Sequence, residues 1–316
     1  MKSKSLIPVF AASLVATGGA LLLTATLSAQ QSTQLLPSSP AKGFGASVTP
    51  SYEGWYDNPD GTHSLLIGYY SRNTREELDV PIGPNNRFEP GNPDMGQPTH
   101  FLTSRRFGMF TVTVPKEFNA KSKLAWTLTA NGVTTTIPVN LGPDFNITTN
   151  KSSEQDSFGH YNTPPVLRFD AKGASFQAPV ATPLKAVARA ATAGQAMTLD
   201  IFADDDANYT SATNAPLRNP PPPVTLVLSK YRGPGAVTFD NARPKVTATK
   251  GGKPGEPFEG KATAKVTFSE PGDYMLHVQA NDYSGNGGGG FACCWTTALV
   301  KVAVGASERT RQTGNQ

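Results

Sequence analysis

Three groups of side chains in this 316-residue chain have types and spacings that can do chemistry. The first is acidic. Asp204, Asp205 and Asp206 are consecutive, and Asn281-Asp282 follows far downstream. A hard cation such as Ca2+ takes roughly six to eight oxygens, and loops add carbonyls and water to carboxylates of this kind. Adjacent carboxylates repel, so a cation would relieve that repulsion. The plainer use of the same residues is turn formation, with each Asp accepting a backbone N–H. The second group is Cys293 and Cys294, the two cysteines of the chain, which lie between Gly287-Gly288-Gly289-Gly290 and Trp295. In an oxidising compartment they have three fates: a vicinal disulfide, an intermolecular bridge or two free thiols. Neighbours on a regular strand point to opposite faces, so a vicinal bridge needs local distortion. Reduced, adjacent thiols suit redox chemistry or a soft metal. The third group is aromatic. Trp55, Tyr56, Tyr69 and Tyr70 fall on two segments expected to pair, and Trp295 stands at a loop rim. Such rings can make a sugar-binding platform, or serve as half-buried cross-strand pairs.

Other chemistries leave no trace. His63, His100, His160 and His277 are far apart, and none has a partner at metal-ligand spacing. His277 alternates onto what reads as a solvent face. Neither His-Glu-x-x-His nor Gly-x-Ser-x-Gly occurs. A carboxylate pair for glycoside hydrolysis need not be close in sequence, but nothing points to one. Asn146-Ile147-Thr148, Asn150-Lys151-Ser152 and Asn208-Tyr209-Thr210 match a short glycosylation sequon that arises often by chance. The formal net charge is +4, and +2 without Lys2 and Lys4. Apart from Arg105-Arg106 the basic residues are scattered. That charge distribution argues against nucleic-acid binding.

These groups must be positioned by strands. Residues 1–29 read as an export signal: basic Lys2 and Lys4, an uncharged apolar run from Leu6 to Leu27, then small residues at Ser28-Ala29. Retention as a membrane anchor is the alternative, because the run is long enough to span a bilayer. No later segment is apolar enough to cross a membrane. Residues 30–44 form a flexible lead-in rich in Gln, Ser and Pro. The rest suits two domains of ordinary size, roughly 100–150 residues each. With 30 Gly and 27 Pro and few helical periods, both are expected to be all-β.

Residues 45–141 read as the first β-sandwich. Asn58-Pro59-Asp60-Gly61 joins two strands, and Asn131-Gly132 joins two alternating runs in the strongest short hairpin signal. Leu66 and Tyr70 oppose Leu65, Ile67 and Tyr69, so that strand should be covered on both sides. The loop from Gly83 to His100 is too rich in breakers for regular structure, and loops of that length are often functional. Residues 142–178 read as a linker with one short edge strand near Val166–Phe169, residues 179–305 as a second domain and residues 306–316 as a disordered tail. The second domain shows seven alternating segments, the number a constant-type immunoglobulin sandwich needs. Its penultimate strand opens on Glu270-Pro271-Gly272 with Tyr274 two residues past the glycine, the pattern of a tyrosine corner.

At these residues a resemblance enters. Leu228-Ser229-Lys230, Gly233-Pro234-Gly235 and Val237-Thr238-Phe239 resemble the tryptophan-serine-lysine, glycine-proline-glycine and valine-threonine-phenylalanine block of bacterial polycystin-type (PKD-like) Ig-fold repeats. Thr267 to Tyr274 and Ala280-Asn281-Asp282 are similar to that family's later block. Leu228 departs from the family tryptophan, which leaves Trp295 as a substitute pin for the core. The resemblance implies an extracellular sandwich for adhesion, spacing or recognition, and implies no catalysis. The first domain resembles only uncharacterised secreted bacterial proteins. The expectation is a secreted, periplasmic or cell-surface protein that is not an enzyme. It would bind an unidentified protein or polysaccharide through loops at one sandwich end, stiffened by Ca2+. The alternatives are a carbohydrate-active enzyme or its glycan-binding module, and an accessory subunit of an exported complex.

Overall fold

The structure is a computed structural model that describes residues 40–149, 162–207, 221–253, 256–283 and 294–307. The expected signal segment, His160, Cys293, the glycine run at 287–290 and most of the expected tail lie outside the described residues. The first sandwich contains β1 (Val48–Asp57), β2 (His63–Ser71), β3 (Leu78–Asp79), β4 (Asn86–Glu89), β5 (His100–Phe101), β6 (Ser104–Val114), β7 (Leu124–Ala130) and β8 (Val133–Val139). Sheet β1-β2-β6 packs on sheet β4-β7-β8, with the short pair β3-β5 beside them. Asn131 and Gly132 take φ of 49° and 77°, the left-handed pair that turns β7 into β8. Trp126 is fully buried between Phe88, stacked at 5.9 Å, and Phe110, edge-on at 5.3 Å. Rings of this size dominate the burial energy of such a core.

The Gly83–His100 loop is more ordered than its composition suggests, because β4 lies inside it. Asn86 is the reason. Its Nδ2 donates to the carbonyls of Val80 (2.9 Å) and Pro98 (2.8 Å), and its Oδ1 accepts Trp126 Nε1 at 2.9 Å. A buried amide satisfied on both ends fixes two stretches of loop against the core.

The second sandwich contains β9 (Val166–Arg168), β10 (Ser175–Phe176), β11 (Val187–Thr192), β12 (Ala196–Asp205), β13 (Thr225–Arg232), β14 (Val237–Phe239), β15 (Thr247–Lys250), β16 (Phe258–Phe268), β17 (Gly272–Asn281) and β18 (Trp295–Gly305). One sheet runs β10-β9-β12-β16-β14, with β15 also on β16, and the other runs β11-β18-β17-β13. Strand β11 lies parallel to β18, whereas the other pairings in these two sheets are antiparallel. This is an Ig-like two-sheet arrangement, and the seven anticipated strands are present within it. The tyrosine corner forms: Tyr274 Oη donates to the Glu270 carbonyl at 2.9 Å and accepts the Gly235 N–H at 3.0 Å. Gly233 has φ 143°, and a Cβ there would stand 2.1 Å from the Tyr274 ring, so the turn needs glycine for both reasons.

Two expectations are corrected here. Residues 162–178 are not a linker: Leu167, Phe169 and Phe176 are buried in the second core, and β9 hydrogen-bonds to β12. Nor does Trp295 take the place of the core tryptophan that the PKD-like resemblance led one to expect. The second core is aliphatic around Phe258, Phe268 and Tyr274, with Leu228 in place, while Trp295 packs outside it. The sandwiches also share a core. Tyr231, Met275 and Leu299, on the outer side of sheet β11-β18-β17-β13, belong to the first sandwich's apolar cluster. The described residues of both sandwiches accordingly fall within one compact unit.

Candidate functional site

Strand β12 ends in the three aspartates, and alternation separates the first two. Asp204 lies on the half-exposed side and pairs with Arg168 at 2.6 Å. Asp205 turns inward and is buried. Its Oδ1 accepts the N–H of Ala207 at 2.8 Å, where the chain turns through φ 52°. Its Oδ2 is buried with no hydrogen bond among the described residues. Burial pushes this carboxyl up to about 8 against the pull of the Ala207 N–H, and the negative charges of Asp206 and Asp282 add to the upward push. Asp206 Oδ2 accepts the N–H (3.0 Å) and hydroxyl (2.7 Å) of Thr163. Asp282 Oδ2 accepts Asn162 Nδ2 at 2.5 Å. Asp205, Asp206 and Asp282 therefore gather at one end of the sandwich, with Asn162-Thr163 strapped across them. Asp204 and Asn281 point elsewhere, and Asn281 Oδ1 accepts Gln279 Nε2 at 2.8 Å. Among the described residues no three His, Cys, Asp or Glu side chains are arranged to hold a metal ion.

Cys294 adjoins this end. It is buried, its Sγ lies 3.4 Å from the Asn162 carbonyl oxygen, and its own carbonyl accepts the Asp282 N–H at 3.3 Å. No described cysteine is free. Trp295 follows and is buried against Leu66 of the first sandwich, with Phe107 and Ile147 around it.

The aromatic residues do not make one platform. Tyr69 is fully buried, and its hydroxyl accepts the Leu102 N–H at 2.8 Å. Trp55 leans on the same core and donates Nε1 to the Gly142 carbonyl at 2.8 Å. Tyr56 reaches the Pro179 carbonyl at 3.3 Å, and burial pushes its hydroxyl up to about 12. Tyr70 alone of the set is well exposed, at 36%, with the Arg72 guanidinium 5.2 Å from its ring centre. Alternation along β1 and β2 splits these rings between faces, and most of their polar tips are spent on backbone groups.

The most convergent polar group was not anticipated from sequence. His100 Nε2 lies 3.0 Å from Glu77 and its Nδ1 3.0 Å from Asp79, with the ring largely shielded. Lys230, on β13 of the second sandwich and only 8% exposed, reaches the same Asp79 oxygen at 3.1 Å. The bond from His100 holds the Glu77 carboxyl below the usual carboxylate range, against partial desolvation. Nearby, Arg232 grips both oxygens of Asp94 (2.9 and 2.7 Å) and the Gln97 carbonyl (2.8 Å from Nε), and Tyr231 Oη donates to Gly96 at 2.5 Å. The long loop of the first sandwich is thus clamped onto β13. His277, expected on a solvent face, is buried beneath it, stacked on Tyr231. Burial drives its imidazole down to about 4, the Arg106 charge adding to that and a bond to the Met109 carbonyl opposing it. The signal for this junction was in the sequence: Tyr231, Met275 and Leu299 are apolar at positions where an exposed sheet face would be polar.

Among the described residues no helix is long and apolar enough to cross a membrane. No family model matches the chain, and no curated protein matches it. Solved structures that are similar in part include the following two. One is the Yersinia pseudotuberculosis adhesin InvE, at 12% identity over 83% of this chain and a TM-score of 0.21; the chain spans 59% of that protein. The other is domains 4 and 5 of the S-layer protein SbsC, at 15% identity over 83% of this chain and 98% of that one, also with a TM-score of 0.21.

Proposed function

We propose that this protein is a secreted or cell-surface binding and structural element. In this reading its PKD-like second sandwich is locked to the first as a stiff unit, and recognition is left to the loops. The observation that carries the reading is the shared core, in which Tyr231, Met275 and Leu299 of one sandwich complete the apolar cluster of the other. A junction built this way resists hinge motion, unlike the polar interfaces between mobile domains. The ionisable groups at the junction support the same reading, being engaged in structural pairs: His100 with two carboxylates, Lys230 with Asp79, Arg232 with Asp94. In a bacterial host making the full chain, fractionation should recover it outside the cytoplasm. Purified protein should bind envelope polysaccharide or envelope protein saturably and without turnover. Retention in the cytoplasm, or release of new reducing ends from the polysaccharide, would overturn the proposal.

At the acidic end we propose a structural Ca2+ that takes the spare Asp205 oxygen and displaces its proton, with loop carbonyls and water completing the shell. Millimolar Ca2+ should raise the melting temperature, and an unchanged transition would retire the idea. Cys293 and Cys294 are proposed to be joined to each other, which fits the lack of a free described thiol. Mass spectrometry after alkylation of native protein should find no modified cysteine.

A further inference from the structure

Beside β13 the two sandwiches enclose a cleft of about 420 Å3, at the small end of ligand-site volumes. Glu77, Asp79 and His100 of the first sandwich line one side, with Lys230 alongside, and Val237 and Phe239 of the second line the other. Both sides are held rigidly. The acidic side is tied through His100 and Lys230. The apolar side hangs from the Gly233–Gly235 turn that the Tyr274 hydroxyl fixes. Neither clamp closes the cleft. Glu77 and Asp79 remain about half exposed, and Glu77 Oε1 and Asp79 Oδ2 make no bond among the described residues.

We propose that this cleft binds a neutral, polyhydroxylated ligand, a saccharide unit of a glycan. The charge balance argues for neutrality. The Lys230 ammonium offsets one of the two carboxylates, which leaves at most one negative charge on groups half exposed to water, so a monovalent cation entering here gains little over water. What the side does offer is two fixed acceptor oxygens. Neighbouring hydroxyl groups can donate to them as charge-assisted bonds, stronger than neutral ones. The Val237–Phe239 side gives the C–H face of a sugar ring an apolar surface. The acceptors are already held in place, so binding need not order them first. This site is separate from Trp55, Tyr56, Tyr69, Tyr70 and Trp295, and it stands whether or not the protein works at a cell surface.

The test is saturation-transfer NMR on the full chain with methyl glycosides of glucose, galactose, mannose and N-acetylglucosamine. At least one should receive saturation on its ring protons, and about 0.5 M NaCl should not remove the effect, because the ligand carries no charge. Glu77→Gln removes the charged acceptor without changing shape, and Ala242→Trp places a bulky ring at the lining of the cleft from an exposed position. Each should lower the transfer about fivefold or more, the loss of at least one charge-assisted bond or its equivalent in blocked contact. The melting temperature of Ala242→Trp should match the parent, and that of Glu77→Gln should fall by no more than a few degrees, the loss of one half-exposed pair with His100. Absence of transfer from all four glycosides would overturn the proposal. So would transfer that survives both substitutions, or stronger and salt-sensitive transfer to tetramethylammonium.

Discussion

Trp295 of the second sandwich lies directly on Gly108 of the first: a Cβ built at Gly108 would stand 2.7 Å from the indole ring. Gly108 also has φ 49°, and its N–H donates to Glu53 Oε2 at 2.7 Å. The other Glu53 oxygen accepts Arg105 Nη2 at 2.7 Å. Burial pushes the Glu53 carboxyl up to about 7, with Arg105 and the Gly108 N–H opposing. A bulge, a buried carboxylate and an indole therefore meet at one glycine.

Gly108→Ala is expected to destabilise the protein by about 2–4 kcal/mol, combining left-handed strain with overpacking. Gly61→Ala provides the comparison. Its φ is 82° but nothing lies within 4 Å of its Cβ position, so only the backbone cost of about 1 kcal/mol applies. Denaturant titration of both variants should show the difference. Equal losses would mean that the Trp295 contact contributes nothing.

In Ca2+-free buffer, Asp205→Asn should stabilise the protein at alkaline pH. Burial raises the folded carboxyl from 3.8 to about 8, so the folded state holds a proton that the unfolded chain releases. Its contribution is complete below the unfolded value and is lost as pH rises through about 8. An amide keeps the acceptor for Ala207 and never ionises. Thermal melts at pH 9 should show the variant about 2–6 °C above the parent, with the gap narrowing toward pH 5. A gap that does not depend on pH would exclude this titration as its cause.

His277→Gln should flatten the acid limb of the stability curve. The folded imidazole sits near 4 instead of 6.5, so its neutral form supports the fold above the unfolded value. That support drains as pH falls from 6.5 toward 4. Arg106 faces the ring and makes protonation harder, while the Met109 carbonyl favours it. Glutamine can still donate to that carbonyl. Stability measured from pH 7 to 4 should fall less steeply in the variant, and parallel curves would place the acid sensitivity elsewhere.

Arg232→Ala should free the loop from Asp94 to Gln97, which loses two charge-assisted bonds to Asp94 and the donors to the Gln97 carbonyl. Limited proteolysis should gain a cut between residues 90 and 100, with β13 itself intact. A parent-like digestion pattern would show that Tyr231 and Asn86 alone hold the loop.

Local rules in the chain were enough for the long strands, the Asn131-Gly132 hairpin and the Tyr274 corner, because each depends on residues close in sequence: alternation, positive φ, and a hydroxyl reaching back to Glu270. They missed the short β3, β4, β5, β10 and β15, which carry too few residues to alternate. Of the five oxygen donors expected together, Asp205, Asp206 and Asp282 gather at one end, whereas Asp204 is taken by Arg168 and Asn281 by Gln279. Local rules could not decide what covers the outside of sheet β11-β18-β17-β13. Tyr231, Met275 and Leu299 read as scattered apolar residues until the first sandwich lies on them. His277 then becomes buried, Trp295 becomes a junction residue, and Lys230 meets Asp79 across 151 positions of chain. Contacts at that separation depend on how two finished surfaces fit, which no local periodicity encodes.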